Sequence, residues 1–256
     1  MSSYSISKIN YLVTNATKGG VLIAEYLRGL GFSYELLRRY EKSAWLDSLG
    51  YGAFKLHNDT VDWMGGLWAL QVQAKKDIHV GGKTALELKG LAHYVKQRQT
   101  KVYLFAPPKE TLPLWFKRHN WGLVLKFSPV KLFTSNIDQG FSQHQKGELS
   151  IRISSPERAA LEMLYHVPHE QTFDEALLIM ENLASLRPSL VQKLLEGCNS
   201  IKVKRLFLYG AEKHGYPWVK RLALTKVSLG SGKRVIVDGG ILDKKYQITV
   251  PREVEQ

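Results

Sequence analysis

Apolar residues near the start of the chain recur at intervals of three and four positions. One set is Ile6, Ile9, Leu12 and Val13, and the other is Leu22, Ile23, Tyr26 and Leu27. This spacing places each set on one face of an amphipathic helix. The pattern therefore predicts two short helices, and the second ends at the glycines around Leu30.

A third helix and a hairpin are predicted next. Ser33 stands where a helix-capping residue is favoured, directly before Tyr34–Lys42. Two strand candidates, Trp45–Leu49 and Ala53–Leu56, flank the tight-turn signal Gly50-Tyr51-Gly52. Helix, helix, turn, helix and hairpin is the element order of a winged helix-turn-helix.

Helices and buried strands are mixed in the rest of the chain. The predicted helices are Trp63–Gln73, Lys83–Leu91 and most of 155–214, where Pro156 and Pro188 mark helix starts. The predicted strands are Ile78–Val80, Lys101–Ala106, Leu123–Phe127, Leu149–Ile153, Val235–Val237 and Gln247–Val250. We therefore expect an α+β protein: a winged helix-turn-helix domain in residues 1–60 and a larger mixed α/β domain in residues 61–256.

Composition narrows the class of protein. The 256 residues include 36 Lys plus Arg against 23 Asp plus Glu, a net charge of +13 that favours a polyanionic partner. The single cysteine, Cys198, excludes an internal disulfide framework and a thiolate-rich zinc site. The sequence has neither a membrane-spanning apolar run nor a secretory pattern at Met1, so we expect a cytoplasmic protein without a membrane partner.

The positive charge is unevenly distributed. Residues 1–60 carry a net charge of +2, residues 61–150 carry +7 and residues 151–256 carry +4. A DNA-binding prediction for the N-terminal segment therefore rests on geometry rather than on composition.

The third predicted helix divides into two faces. Leu36, Leu37 and Tyr40 fall on one face, and the opposite arc carries Tyr34, Glu35, Arg38, Arg39 and Lys42. A helix in the major groove needs this division, with donors for base edges beside cations for phosphates. The alternative is a solvated face on which Glu35 and Arg39 pair at i,i+4.

The predicted DNA-binding residues come from this helix and the hairpin. Arg38 and Arg39 would read base edges, with a further contact from Tyr34. The expected phosphate contacts are Ser33, Lys42 and Lys55, and Tyr51 is the contact available at the tip of the hairpin. A single small module would bind weakly, so two copies on paired half-sites are expected.

Several separated motifs between Leu27 and Val95 resemble the AbiEi family, the antitoxins of type IV toxin–antitoxin systems. They are Leu30-Gly-Phe-Ser33, Leu36-Leu37, Tyr40, Ser43-Ala-Trp-Leu46, Leu49-Gly-Tyr-Gly-Ala53, Trp63, Gly66, Ala69-Leu-Gln71, His79-Val-Gly-Gly-Lys-Thr-Ala-Leu86 and His93-Tyr94. Ser154-Ser-Pro-Glu-Arg-Ala159 also resembles a family feature. Two positions depart from the family pattern: Ala44 replaces the usual glycine, and Tyr51 stands where a basic wing residue is common.

The resemblance implies a regulator of an abortive-infection operon. Such proteins bind their own promoter through the N-terminal domain and repress it. The larger domain neutralises a nucleotidyltransferase-like toxin without stable direct binding. No cofactor, metal or catalytic residue is implied.

Three other motifs resemble sites of phosphate binding, metal-dependent catalysis or metal binding. Gly81-Gly82-Lys83-Thr84 resembles a phosphate loop, but Asp77 stands where that motif requires a glycine. Asp77, Glu87 and Lys89 could form a metal-dependent nuclease only if Glu87 and Lys89 lay on a strand, and their segment is predicted to be helical. His166 and His169 lack a third ligand at a useful spacing. His79 and His93 are interpreted as structural.

Two alternative functions stay open at this point. The first is a metal-dependent nuclease that uses Asp77, Glu87 and Lys89 and is tethered to DNA by a winged helix. The second is a winged-helix regulator whose larger domain senses a small ligand.

Overall fold

The computed structural model describes residues 7–92, 100–134 and 139–252. Ile6, His93 and Tyr94, which the sequence analysis singles out, lie outside these ranges. The chain forms two compact units, each assembled from separate stretches of sequence. Unit 1 contains residues 1–79, 109–125 and 143–152, and unit 2 contains residues 80–108, 126–142 and 153–256.

The described residues form the helices and strands below. The α-helices are α1 Lys8–Asn15, α2 Ala24–Gly29, α3 Tyr34–Lys42, α4 Trp63–Val72, α5 Gly82–Leu88, α6 Leu114–Arg118, α7 Pro156–Tyr165, α8 Phe173–Met180, α9 Pro188–Gly197 and α10 Ile201–Lys213. The strands are β1 Leu22–Ile23, β2 Leu46–Gly50, β3 Ala53–Leu56, β4 His79–Val80, β5 Lys101–Ala106, β6 Val124–Pro129, β7 Phe141–Lys146, β8 Leu149–Ser154, β9 Ile241–Asp243 and β10 Ile248–Val250. Two short 3-10 helices cover Pro217–Arg221 and Leu224–Lys226.

Unit 1 begins with three helices and a three-stranded sheet. The sheet is antiparallel in the order β1-β3-β2, with Leu22 opposite Phe54 and Leu46 opposite Leu56. Its core contains buried side chains from all three helices and from the sheet, including Leu12, Leu27, Phe32, Leu37 and Phe54. Each fully buried leucine stabilises this core by about 2 kcal/mol.

The first sixty residues are tied to later parts of unit 1. The side chain of Gln73, just after α4, accepts a hydrogen bond from the Ile23 amide at 2.8 Å and donates one to the Val21 carbonyl at 2.7 Å. The Glu148 carboxylate accepts a hydrogen bond from the Lys18 amide at 3.0 Å. The compact unit therefore extends past residue 60. The boundary at residue 60 between a DNA-binding domain and a larger domain stays a prediction. Truncation of the chain at that residue would remove these hydrogen bonds.

Strands β4–β8 form a mixed five-stranded sheet, of which unit 2 contains β5 and parts of the other four strands. The strand order is β6-β5-β4-β8-β7, and Val80 of β4 pairs with Ile153 of β8 in parallel. The other described helices and strands of unit 2 are α5, α7–α10, the two 3-10 helices and a small β9–β10 hairpin. The predicted α+β class is confirmed.

Most predicted elements are present, and a few are wrong. Helix α3 and strands β3 and β5 have the predicted bounds. Val235–Val237 is not a strand; Arg234 instead makes an isolated bridge with Ile248. Strand β7 was not predicted because Phe141–Lys146 is largely polar.

Candidate nucleic-acid interface

Helix α3 is fixed at its start by a capping residue and along one face by the core. Ser33 is its N-cap, and its Oγ accepts a hydrogen bond from the Leu36 amide at 3.2 Å. Leu37 is buried in the core, where Leu36 and Tyr40 also pack. The predicted apolar face of this helix is therefore turned inward.

The opposite face of α3 is exposed and charged. Glu35, Arg38, Arg39 and Lys42 are all exposed, and Tyr34 is 49% exposed. In the part of the chain that the structure describes, none of these four charged side chains takes part in an ion pair. The Glu35–Arg39 pair expected for an ordinary solvated face is absent there. Two arginines and a lysine are thus held on one helix face without an acidic partner among the described residues.

Arg28, at the end of α2, joins this face although the sequence analysis did not single it out. Its guanidinium lies over the Tyr34 ring, 4.7 Å from the ring centroid, which is cation–π geometry. The contact fixes the Tyr34 ring beside the exposed arc of α3 and adds a cation there. The signal that could have found Arg28 is its position in the last turn of the preceding helix.

The β2–β3 hairpin presents Tyr51 at its tip. Gly50 and Gly52 have φ values of +128° and +79°, which other residues rarely adopt, and Tyr51 between them is 94% exposed. A Cβ on Gly50 would lie 3.2 Å from the Trp115 Cβ, so glycine also allows the turn to approach α6 closely. The hairpin therefore carries an aromatic tip on a turn of fixed geometry.

A groove separates α3 from the hairpin. It encloses about 390 Å³, and its lining includes Tyr34, Glu35, Arg38, Glu41 and Tyr51. Of the predicted site residues, the structure thus brings Tyr34, Arg38 and Tyr51 around one groove. Arg39 and Lys42 share the exposed arc of α3 but do not line the groove.

Lys55 differs from the other predicted cations because it already has partners. Its Nζ lies 2.7 Å from the Asp47 carboxylate and donates a hydrogen bond to the Asp59 carbonyl at 2.9 Å. Hydrogen bonds from Lys55 and from His57 lower the pKa of Asp47, so the carboxylate stays ionised. Lys55 could contact a phosphate only by sharing or leaving these bonds.

Ala44, one of the two departures from the family pattern, is explained by backbone geometry. It follows α3 with φ +54°, in the left-handed region where glycine is favoured. A glycine at this position would avoid the steric cost of the alanine Cβ.

The Gly81–Thr84 turn has no room for a phosphate. The Glu162 carboxylate accepts hydrogen bonds from the Gly82 amide at 3.1 Å and from the Ser154 hydroxyl at 2.7 Å. A Cβ on Gly81 would lie 2.2 Å from the same carboxylate. Lys83 is buried and paired with Glu175 at 2.6 Å. An internal carboxylate thus occupies the position that a phosphate would take.

The candidate nuclease residues and the candidate metal-binding histidine His166 have structural roles. Glu87 is on helix α5 and Lys89 is its C-cap, so the two do not alternate on a strand. His166 packs against the rings of Tyr103 and Phe105, and burial lowers its pKa to about 4. Within residues 7–92, 100–134 and 139–252, no group of three or more His, Cys, Asp or Glu is placed to hold a metal ion. None of the helices in those ranges could span a membrane.

A solved structure shares this fold. It is the crystal structure of the RV2827C protein from Mycobacterium tuberculosis, with a TM-score of 0.60 and 13% sequence identity. The match covers 94% of this chain and 88% of that chain, and at this identity it shows the fold alone. No curated protein matches the chain.

Two protein-family models match nearly the whole chain. Residues 5–97 match a model described as "Transcriptional regulator, AbiEi antitoxin N-terminal domain". Residues 99–251 match a model described as "Transcriptional regulator, AbiEi antitoxin, Type IV TA system". This chain therefore belongs to the AbiEi family of antitoxins and transcriptional regulators of type IV toxin–antitoxin systems.

Proposed function

We propose that this protein binds the promoter DNA of its own operon through a winged helix-turn-helix and represses transcription. The elements α1 to β3 form that module, with α3 as the recognition helix and the β2–β3 hairpin as the wing. The observation that carries the proposal is the exposed face of α3, where Arg38, Arg39 and Lys42 have no acidic partner among the described residues. Cations left unpaired on a rigid helix are available to bases and phosphates.

Each site residue has a distinct role in this proposal. Arg38 and Arg39 donate to guanine edges in the major groove, and Tyr34 adds a contact beside them. Lys42 binds a phosphate, as does the Ser33 hydroxyl, which can donate a hydrogen bond while its oxygen caps α3. Tyr51 contacts DNA from the wing. Lys55 contributes less than Lys42 because Asp47 already holds its ammonium group.

The family membership supports the wider role. The protein is an antitoxin that neutralises a nucleotidyltransferase-like toxin in an abortive-infection operon, without a stable complex and without catalysis of its own. It acts in the cytoplasm, and two copies occupy paired half-sites because one small module binds DNA weakly.

The test is a pair of matched double variants in the full chain. Each bidentate arginine–guanine contact is worth roughly 1–3 kcal/mol, so R38A/R39A should lower affinity for the promoter by roughly 30-fold or more. K117A/R118A removes the same charge from exposed positions on α6 and should leave the preference for promoter over unrelated DNA unchanged. The measurement is titration of labelled promoter and scrambled duplexes at one salt concentration.

The two variants also separate repression from neutralisation. R38A/R39A should fail to repress a reporter gene under the promoter, while it still restores growth in the presence of the toxin. Wild-type promoter affinity in R38A/R39A would exclude α3 as the recognition helix. Loss of promoter preference in both double variants would show that charge alone, rather than the α3 geometry, determines binding.

A further inference from the structure

Two neighbouring cations of α10 are buried in unit 2 without a carboxylate partner. Lys204 is 4% exposed and Arg205 is 3% exposed. Among the residues that the structure describes, neither forms an ion pair. Their partners are instead backbone carbonyl groups, that of Gln247 at 3.2 Å and several in the segment that follows the second 3-10 helix. Two buried positive charges are thus solvated by dipoles and not neutralised.

The segment Ser228–Arg234, here called the glycine loop, supplies most of these carbonyls. Lys204 donates to the Ser228 carbonyl at 3.0 Å. Arg205 donates to the carbonyls of Leu229 at 2.8 Å, Gly230 at 3.1 Å and Gly232 at 2.6 Å. Four carbonyl groups of one short loop therefore point inward at two cations.

Inward carbonyls require outward amides. In a trans peptide the N–H of the next residue points opposite to the carbonyl oxygen. The amides of Leu229, Gly230, Ser231 and Lys233 therefore face away from Arg205 and Lys204. Within the described residues no backbone or side-chain oxygen accepts a hydrogen bond from any of the four.

The backbone conformation of the loop and the charge around it both favour an anion. Gly230 and Gly232 have φ values of +62° and +70°, the left-handed conformation that recurs in anion-binding loops. The side chains of Lys233 and Arg234 are exposed beside these amides. Residues 217–252 carry eight Lys or Arg against two Asp, so the surroundings are strongly positive.

We infer that the glycine loop is a phosphate-binding site. The ligand is a phosphate group, held by the outward amides and by Lys233 and Arg234, and favoured by the buried charges of Arg205 and Lys204. The site lies in unit 2, uses no residue of α3, and so does not depend on promoter recognition. Its phosphate can come from a free nucleotide or from a nucleic-acid backbone.

The first test is a titration of the full-length ¹⁵N-labelled protein with inorganic phosphate, followed by NMR. We expect saturable shifts of the amide signals of Gly230, Ser231 and Lys233. Sodium chloride at matched ionic strength should not reproduce them. Absence of saturable shifts in the loop amides with phosphate would overturn the proposal.

A matched pair of variants tests whether the loop itself binds. K233A/R234A removes two cations at the loop and should weaken phosphate binding by about tenfold, because charge-assisted hydrogen bonds are lost. K220A/R221A removes two exposed cations from the 3-10 helix outside the loop and should change binding by less than about twofold. Equal weakening in both variants would overturn the proposal in favour of a general charge effect.

Two competitors identify the source of the phosphate. ATP and a scrambled DNA duplex are each added to R38A/R39A, which keeps α3 from dominating the binding. If the duplex shifts the amide signals of the loop at a lower concentration than ATP does, the source is a nucleic-acid backbone. If ATP does so, the source is a nucleotide. Either result supports a phosphate site and identifies the class of its ligand.

Discussion

The charged residues of α3 and those of α5 and α7 occupy opposite environments. On α3 they are exposed and have no acidic partner in the described chain. On α5 and α7, Lys83, Glu157 and Glu162 are almost fully buried, and each is paired: Lys83 with Glu175, Glu157 with Arg187 and Glu162 with Arg158. Both regions are rich in charge, and only the first has charge available for another molecule.

This contrast distinguishes charged residues available for binding from charged residues that stabilise the fold. A buried charge without a partner is costly, so the buried charged groups of α5 and α7 form ion pairs and thereby fix helices in place. An exposed charge costs little to leave unpaired, so pairing on α3 is not required by folding. Functional tests belong on α3, and stability tests belong on α5 and α7.

The largest effect on stability is expected for Lys83→Met. This change keeps most of the buried side-chain volume but leaves Glu175 without its 2.6 Å partner, which should lower the free energy of unfolding by about 3 kcal/mol. Urea unfolding measures the loss. Lys89→Met, at an exposed position just after α5, should change stability by less than about 0.5 kcal/mol.

Promoter affinity should not depend on Lys83, because this residue stabilises the fold and does not contact DNA in the proposal. At temperatures where Lys83→Met stays folded, its promoter affinity should equal that of the wild type. If folded Lys83→Met lost promoter affinity, Lys83 would be a functional residue and not only a stabilising one.

The ionised Glu157 carboxylate should contribute less to the free energy of unfolding than the Lys83 pair, and its contribution depends on pH. Burial opposes ionisation of this carboxyl, but hydrogen bonds from Arg187 outweigh it and lower the pKa of Glu157 from 4.5 to about 2. The stabilisation is therefore complete above pH 4.5 and is lost as the pH falls toward 2. Because Arg187 is exposed to solvent, we expect a contribution of about 2 kcal/mol at neutral pH.

Glu157→Gln should remove that pH dependence. Between about pH 5 and pH 2.5, its free energy of unfolding should fall less steeply than that of the wild type. Glu181→Gln, at an exposed position, serves as the control and should retain the wild-type slope. Parallel curves for Glu157→Gln and the wild type would show that the Arg187 pair does not stabilise the fold.

The smallest effects separate two lysines of the proposed interface. Lys42→Ala should reduce the slope of log affinity against log salt by about one unit, because one phosphate contact and its counterion release are lost. Lys55→Ala should reduce it by less than about half a unit, because Asp47 holds this lysine before DNA arrives. Promoter titrations across a salt series measure both. Equal slopes for the two variants would mean that pairing within the protein does not restrain a phosphate contact.

Local signals explain which elements could be predicted from the sequence. Helix α3 has a capping serine and a strong division of polar and apolar faces, and β5 is a continuous apolar run, so both were predicted with their bounds. Strand β1 is only two residues long and exists through its pairing with β3, which local sequence does not encode. Strand β7 was missed for a related reason: its pairing in the sheet stabilises a largely polar segment.

The candidate site shows the same limit. The exposed face of α3 follows from helical periodicity, so Arg38 and Arg39 could be selected from the sequence. The pairing of Lys55 could not, because it depends on the hairpin register that sets Asp47 opposite Lys55. The Arg28–Tyr34 contact depends on the packing of α2 against α3, which periodicity does not determine.

The discontinuous make-up of unit 1 has a consequence for synthesis of the protein. The hairpin turn at Gly50 lies against Trp115, and the segment at Lys18 is held by Glu148. A ribosome therefore has to translate more than half of the chain before the N-terminal unit can make all of its contacts. Contacts this distant in sequence also slow folding, since the intervening chain must be ordered first. Nascent chains that stop before residue 152 would lack a finished unit 1 and with it the complete support of the proposed promoter-binding surface.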